Sequence, residues 1–280
     1  MITLGLTTWS EHGSLLHEGR ERKLTLSEYS QFLPCVELDT PFYGIPRLSS
    51  FEKWAAATPA NFQFIVKANQ IMTRHRGPET AGALSEEEVF AHFKQNSAPL
   101  VAAGKLKTIL LQFPPFFGVT TENVNYLQKV RTYLGTLPAA VEFRNQVWYQ
   151  EEFRQQMLGL LRRLNFSHVI VDEPQTPTGS APYFPVATNQ LAILRLHGRN
   201  FAGWANQGKD WRSQRTLWRY SQSELRSFVP DIQRLTRETQ EVCVIFNNNS
   251  GGDAADNALA LQKLLGLEFT GLAPQQIDLF

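Results

Sequence analysis

Acids, bases and amides recur in this chain at one kind of place, the end of a short apolar run. Glu37 lies in CVEL, Lys67 closes FQFIVK, Gln112 closes TILLQ and Glu142 lies in AAVEF. Asp172 closes HVIVD, Arg195 and His197 lie in AILRLH, and Asn247 closes VCVIFN. Carboxylates and cations brought together shift each other's pKa values and grip polar substrates. Glu37 and Glu142, on separate runs, are suited to flank a ligand as an acid/base pair, with Asp172 a third acid and His197 a second proton carrier. Lys67, Arg144 and Arg195 suit anionic oxygens, and Gln112, Asn247 and Asn248 suit orienting hydrogen bonds. The competing reading is a structural layer of ion pairs, because buried charges must be paired or cost several kcal/mol each.

Single residues carry the same two readings. Lys67 could act as a Schiff-base or phosphate lysine; the simpler expectation is an ion pair with Glu37. His75 and His197 could shuttle protons near neutral pH, although a loop histidine is more often only hydrogen-bonded. No H-x-x-H, H-E-x-x-H or C-x-x-C spacing occurs, which argues against a multi-zinc site. A carboxylate-bound Mg²⁺ or Mn²⁺ stays open, and no other cofactor is implied.

Two loops add chemistry. The segment Gly198–Gln222 is roughly 25 residues long, far beyond the usual two to six for a strand–helix loop. It carries Trp204, Trp211 and Trp218, with Arg199, Lys209, Arg212, Arg215 and Arg219 against the single acid Asp210. Such a mixture suits stacking on bases or sugars and gripping phosphate; it equally suits a lid whose tryptophans pack over the fold. The segment Asn247–Asp253 closes with Gly251-Gly252-Asp253 before a helical stretch from Ala254, a phosphate cradle or ordinary capping by Asp253 or Ser250.

The elements that must position these residues can be read from the same pattern. The runs Ile2–Leu6, Cys35–Leu38, Phe62–Lys67, Thr108–Gln112, Ala139–Phe143, His168–Asp172, Ala192–His197 and Val242–Asn247 have the length and branching of buried strands. Amphipathic stretches separate most of them: Leu26–Leu33, Ser49–Ala57, Ser85–Ala103, Thr121–Leu134, Glu151–Leu164, Ser223–Thr239 and Ala254–Leu265. Glu173–Gln190 reads as loop. Strands recur about every 34 residues, the spacing of a (β/α)₈ TIM barrel, whose sites lie at the C-terminal ends of the strands. A doubly wound sheet is disfavoured, since no G-x-G-x-x-G follows the first strand. Alternation along the strands places Ala140, Glu142 and Arg144 inward. It also places His168, Ile170 and Asp172 inward, with Ile193, Arg195, His197, Cys243, Ile245 and Asn247.

The 280 residues are 42% hydrophobic, enough for a packed core, and no linker divides them, so one domain over 1–280 is expected. Twenty-seven Lys+Arg against 26 Asp+Glu give a net charge of +1, so the field of the whole chain favours neither nucleic acid nor an anionic membrane. The two cysteines, Cys35 and Cys243, fall in strand-like runs and point to reduced thiols in a cytoplasmic protein. No export signal and no membrane span are expected from the N-terminal residues or from any apolar stretch.

Taken together, these segments resemble the domain-of-unknown-function 72 (YecE-like) family. The likeness rests on Val36–Tyr43, Trp54 with Thr58-Pro59, Phe62–Lys67, Thr73 with His75, and Leu111–Pro115. Val141–Arg144 with Trp148, Arg195–Arg199, and Phe246–Asn248 with Gly252, Ala254 and Asn257-Ala258 complete it. It departs from the family at Thr7-Thr8-Trp9, at Asp39, at Asn145 and at Trp218-Arg219-Tyr220. The resemblance implies a TIM barrel and, as the name says, no particular activity. Among the matched residues Tyr43, His75, Trp148 and Arg199 are expected to join the substrate-binding set. The expected function is an enzyme acting by hydrolysis or proton transfer on a phosphate- or sugar-bearing small molecule. The alternatives are a nucleic-acid-binding protein that uses the Trp/Arg loop, and a non-catalytic binder of small anions.

Overall fold

Eight parallel strands close on themselves in a computed structural model that describes residues 1–16, 22–77, 84–176, 180–206, 208–209 and 211–274; the side chains of Trp211 and Arg212 lie outside this description, as does Asp210. The strands are β1 (Ile2–Thr7), β2 (Cys35–Leu38), β3 (Gln63–Lys67), β4 (Leu106–Phe113), β5 (Ala139–Phe143), β6 (Phe166–Asp172), β7 (Leu191–Leu196) and β8 (Glu241–Phe246). They hydrogen-bond in chain order, and β8 returns to β1. This is the expected TIM barrel, and closure leaves no unpaired strand edge.

Register decides which side chains face the interior, because residues level with one another on adjacent strands point the same way. Thr7 lies level with Glu37, Glu37 with Ile65, and Gln112 with Glu142. Arg195 lies level with both Val171 and Ile245. The inward rows therefore end in Thr7, Glu37, Lys67, Gln112, Glu142 and Arg195. Phe64 pairs with Leu106 and Ile65 with Thr108, which leaves Lys107 as an extra residue on β4. Such a bulge re-aims its side chain, and Lys107 pairs with Glu241.

The outward strand faces pack against the helices. Phe113, Phe117, Phe143 and Trp148 stack there, with Phe143 and Trp148 rings 4.2 Å apart. Ser85 and Glu88 form a capping box at the helix Glu86–Ala102, and Ser221 and Glu224 form another at Gln222–Glu238. Cys35 and Cys243 are free and buried. Among the described residues no helix is long and apolar enough to cross a membrane.

Candidate functional site

At the C-terminal end of the barrel, Arg195 lies between two carboxylates. Its Nε and Nη2 donate to Glu37 at 2.8 and 2.6 Å, and its Nη1 donates to Glu142 at 2.5 Å. All three side chains are buried. Glu37 and Glu142 thus flank a guanidinium. Glu142 also accepts from Gln112 Nε2 at 2.5 Å and from Arg144 Nε at 3.3 Å. Asn247 Nδ2 lies 2.7 Å from His197 Nδ1, and His197 Nε2 lies 3.5 Å from Glu142. With the Asn247 amide donating, the imidazole carries its proton on Nε2, toward Glu142.

The charges divide unequally. Burial pushes the Glu142 carboxyl up, but Arg195, His197 and Arg144 outweigh it and hold the group well below the usual range. Burial raises Glu37, and Arg195 only partly offsets this. Burial, then Arg195, push His197 down to about 3, so it is neutral at physiological pH.

Around this centre stands a rim of cations. Lys67 Nζ lies 3.0 Å from Asp39 and 4.8 Å from the Phe42 ring centre. The expected Lys67–Glu37 pair is replaced because both Glu37 oxygens are taken by Arg195. His75 bonds Thr73 Oγ1 at 2.9 Å, and burial with the nearby Lys67 and Arg144 pushes it down to about 4. Arg144 and Arg215 approach the Trp204 ring at 5.2 and 3.8 Å, and Trp204 lies 6.2 Å from the His197 ring. Burial lowers Arg215 to about 9. Among the described residues Arg144 makes its ion pair through Nε, with Glu142.

Strand β6 departs from the expected alternation. Asp172 and His168 point to the outer layer. Arg199 holds Asp172 through Nε and Nη2 at 2.8–3.1 Å, and Tyr220 Oη donates to it at 2.7 Å. His168 bonds Tyr149 Oη and the Val186 carbonyl, and burial pushes it down to about 4. The cause is register: Val171 lies level with the inward Arg195, so the next inward residue is Glu173. Glu173 is 4% exposed. Its Oε1 accepts from Ala181 N at 2.7 Å, and its Oε2 has no hydrogen-bond partner among the described residues. Burial pushes this carboxyl up to about 7 against the pull of Arg144.

Other expected ligands also lie elsewhere. Arg199 belongs to the outer Asp172 cluster and also reaches Glu224. Trp148 is buried, with its Nε1 on the Phe117 carbonyl. Asn248 donates to the Trp218 carbonyl and to Asn257, tying the loop after β8 to the loop after β7. Tyr43 is 61% exposed, edge-on to Phe42. At the helix Asp253–Leu265, Arg219 binds Asp253 and Asp256, so acids already occupy the end proposed for phosphate. Glu37, Lys67, His75, Gln112, Glu142, Arg144, Arg195, His197 and Asn247 do come together. Asp39 and Glu173 were missed; each lies one residue past a strand's end. Among the described residues no group of three or more His, Cys, Asp or Glu side chains is arranged to hold a metal ion.

Comparison with known proteins agrees with this architecture. The family described as "Protein of unknown function DUF72" matches residues 3–278. The UPF0759 protein YunF of Bacillus subtilis (strain 168) is 43% identical over 283 residues, covering 100% of both chains. A crystal structure of a DUF72 family protein from Enterococcus faecalis V583 superposes with a TM-score of 0.93 at 46% identity, covering 99% of this chain and 100% of that one. Another, from Thermotoga maritima MSB8, gives 0.78 at 32% identity, covering 95% and 100%. With a family match over nearly its whole length and relatives this similar in sequence and fold, the chain belongs to the DUF72 family.

Proposed function

We propose that the chain is an acid–base enzyme acting on a small anionic substrate, phosphate-bearing by preference, at the mouth of the barrel. The observation that carries this reading is Glu173, a buried carboxyl with one oxygen unpartnered among the described residues, near Arg144 and Arg215. A group that titrates near 7 is half protonated at neutral pH, so it can give or take a proton without a large penalty. Arg144, Arg215 and Lys67 bind the substrate's oxygens, and Asn247 and Gln112 orient it. Glu37, Glu142 and His197 serve by fixing Arg195 and the charge of the floor. The nucleic-acid alternative is weaker, because Arg199 and Arg219 of the long loop are spent on acids of this chain.

The test has two parts. Titration calorimetry with inorganic phosphate at low salt should give saturable binding that Arg144→Gln weakens at least about tenfold, the scale of one lost charged hydrogen bond. A panel of sugar phosphates and other phosphomonoesters should then yield turnover that Glu173→Gln abolishes while phosphate binding persists. Absence of phosphate binding by the native chain overturns the proposal. Binding with no turnover across the panel favours the non-catalytic anion binder.

A further inference from the structure

Beside the mouth lies a cavity of about 330 Å³, lined by Asp172, Glu173, Pro174, Gln175, Tyr183, Arg199 and Phe201. We infer that it is the subsite for a ring carried by the substrate, so that the preferred ligand is a ring-bearing phosphomonoester and not a bare phosphate or an open-chain one. This rests on the reading of the mouth given above.

Two features join the cavity to the mouth. Glu173 lines the cavity and lies close enough to Arg144 and Arg215 of the mouth for both to act on its charge, beneath the larger effect of burial. One carboxyl therefore borders both spaces. The second link is the helical turn Phe201–Ala205, held at its start by Asn200, whose side chain accepts from Gly203 N. Residues three apart on a helix share a face. Phe201 supplies a ring to the side cavity, and Trp204 supplies one to the mouth, against Arg144 and Arg215. A single turn thus presents an aromatic face to each half of one extended ligand.

The lining also sets the chemistry of the occupant. Phe201 is 54% exposed, a large apolar surface that a planar or pyranose ring would cover. Tyr183 contributes a second ring. Arg199 is held by both oxygens of Asp172 and by Glu224, so it adds little free charge to the wall. A neutral ring suits such walls better than a second anionic group does. The volume lies at the lower end of ordinary small-ligand pockets and accommodates a six-membered ring.

Inorganic phosphate, phenyl phosphate and n-butyl phosphate serve as probes, titrated into the native chain and into Phe201→Ala. The native chain should bind phenyl phosphate about 3- to 10-fold more tightly than inorganic phosphate, the usual scale of an aromatic contact. Phe201→Ala should lose that gain and keep its affinity for inorganic phosphate, and Phe201→Trp should restore it. Phosphate binding with no phenyl gain, or a gain that survives Phe201→Ala, overturns the subsite and leaves the mouth intact. Butyl phosphate bound as tightly as phenyl phosphate overturns the assignment to a ring. If none of the probes binds, the reading of the mouth itself fails.

Discussion

Replacing Arg195 by methionine removes the one cation that lies between Glu37 and Glu142 while roughly conserving volume. The two carboxylates then face each other with no cation between them, both fully buried. Breaking a buried pair by deleting one partner costs about 3–5 kcal/mol, because a desolvated charge is left behind. With an unfolding entropy of about 2.1 cal/mol/K per residue, a chain of this length loses roughly 5–8 °C in Tm for that cost. The pH dependence gives a sharper check. In the native chain Glu142 is held below its unfolded value, so its contribution is present above a pH of about 4.3 and is lost as the pH falls. In Arg195→Met both carboxyls are raised, so their penalty is full at neutral pH and fades as they take up protons. The gap between the two proteins should therefore be widest near pH 7 and narrower near pH 5, measured by thermal or urea unfolding. The triple variant Glu37→Gln, Arg195→Met, Glu142→Gln should recover much of the loss, since a neutral replacement leaves no orphaned charge. A Tm drop under about 2 °C for Arg195→Met, or an equal drop at both pH values, would refute the compensation argument.

Glu173 should make the native chain lose stability as pH rises. A carboxyl raised to about 7 favours its protonated form when folded, so stability falls between the unfolded pKa and that value, by roughly 4 kcal/mol at most. Glu173→Gln should flatten this slope between pH 5 and pH 8 and be the more stable protein at pH 8 in thermal melts; an unchanged slope counts against the assignment. His168, pushed down to about 4, works in the opposite direction, since the unfolded chain binds its proton more readily below a pH of about 6.5. Melts of His168→Asn between pH 6.5 and pH 4 should show a shallower acid loss than the native chain. Gly198 follows β7 at φ +87°, and a Cβ there would lie 2.5 Å from Trp218 Cβ. Gly198→Ala should cost roughly 1–3 kcal/mol from backbone strain, with more from the clash, and unchanged chemical denaturation would contradict the geometry.

The barrel was legible because a strand covered on both faces reads as a short branched apolar run whatever its orientation. The expected strand ends lie within two residues of those observed. Polar tips were legible where the last polar residue of the run also faced inward, as at Glu37, Gln112, Glu142 and Asn247. HVIVD gave no such guidance. Both of its alternating sets hold branched apolar residues, and either could fill a barrel core. The pairings of Val171 with Arg195 and of His168 with Val141 settle the matter, and pairing between strands is a long-range fact that no local pattern contains. The same limit hid the partner of Lys67, since Asp39 lies beyond the end of β2 and its role depends on Arg195 having claimed Glu37 first.

That shift of one residue on β6 changes the chemistry of the whole site. With Asp172 inside, the mouth would hold another ordinary carboxylate, and the structural-layer reading would account for most of its charges. With Glu173 inside, the floor is closed by Glu37, Arg195 and Glu142, which bond one another. Arg144 and Arg215 approach the Trp204 ring beside it, and Lys67 is offset by Asp39. On the proposed reading, the protonated form of Glu173 favours an anion at the mouth and the ionised form opposes one. Anion binding and the protonation of Glu173 are therefore linked through the same Coulomb interaction. On the proposed reading, an arriving anion favours the acid form of Glu173, which is the coupling an acid catalyst requires.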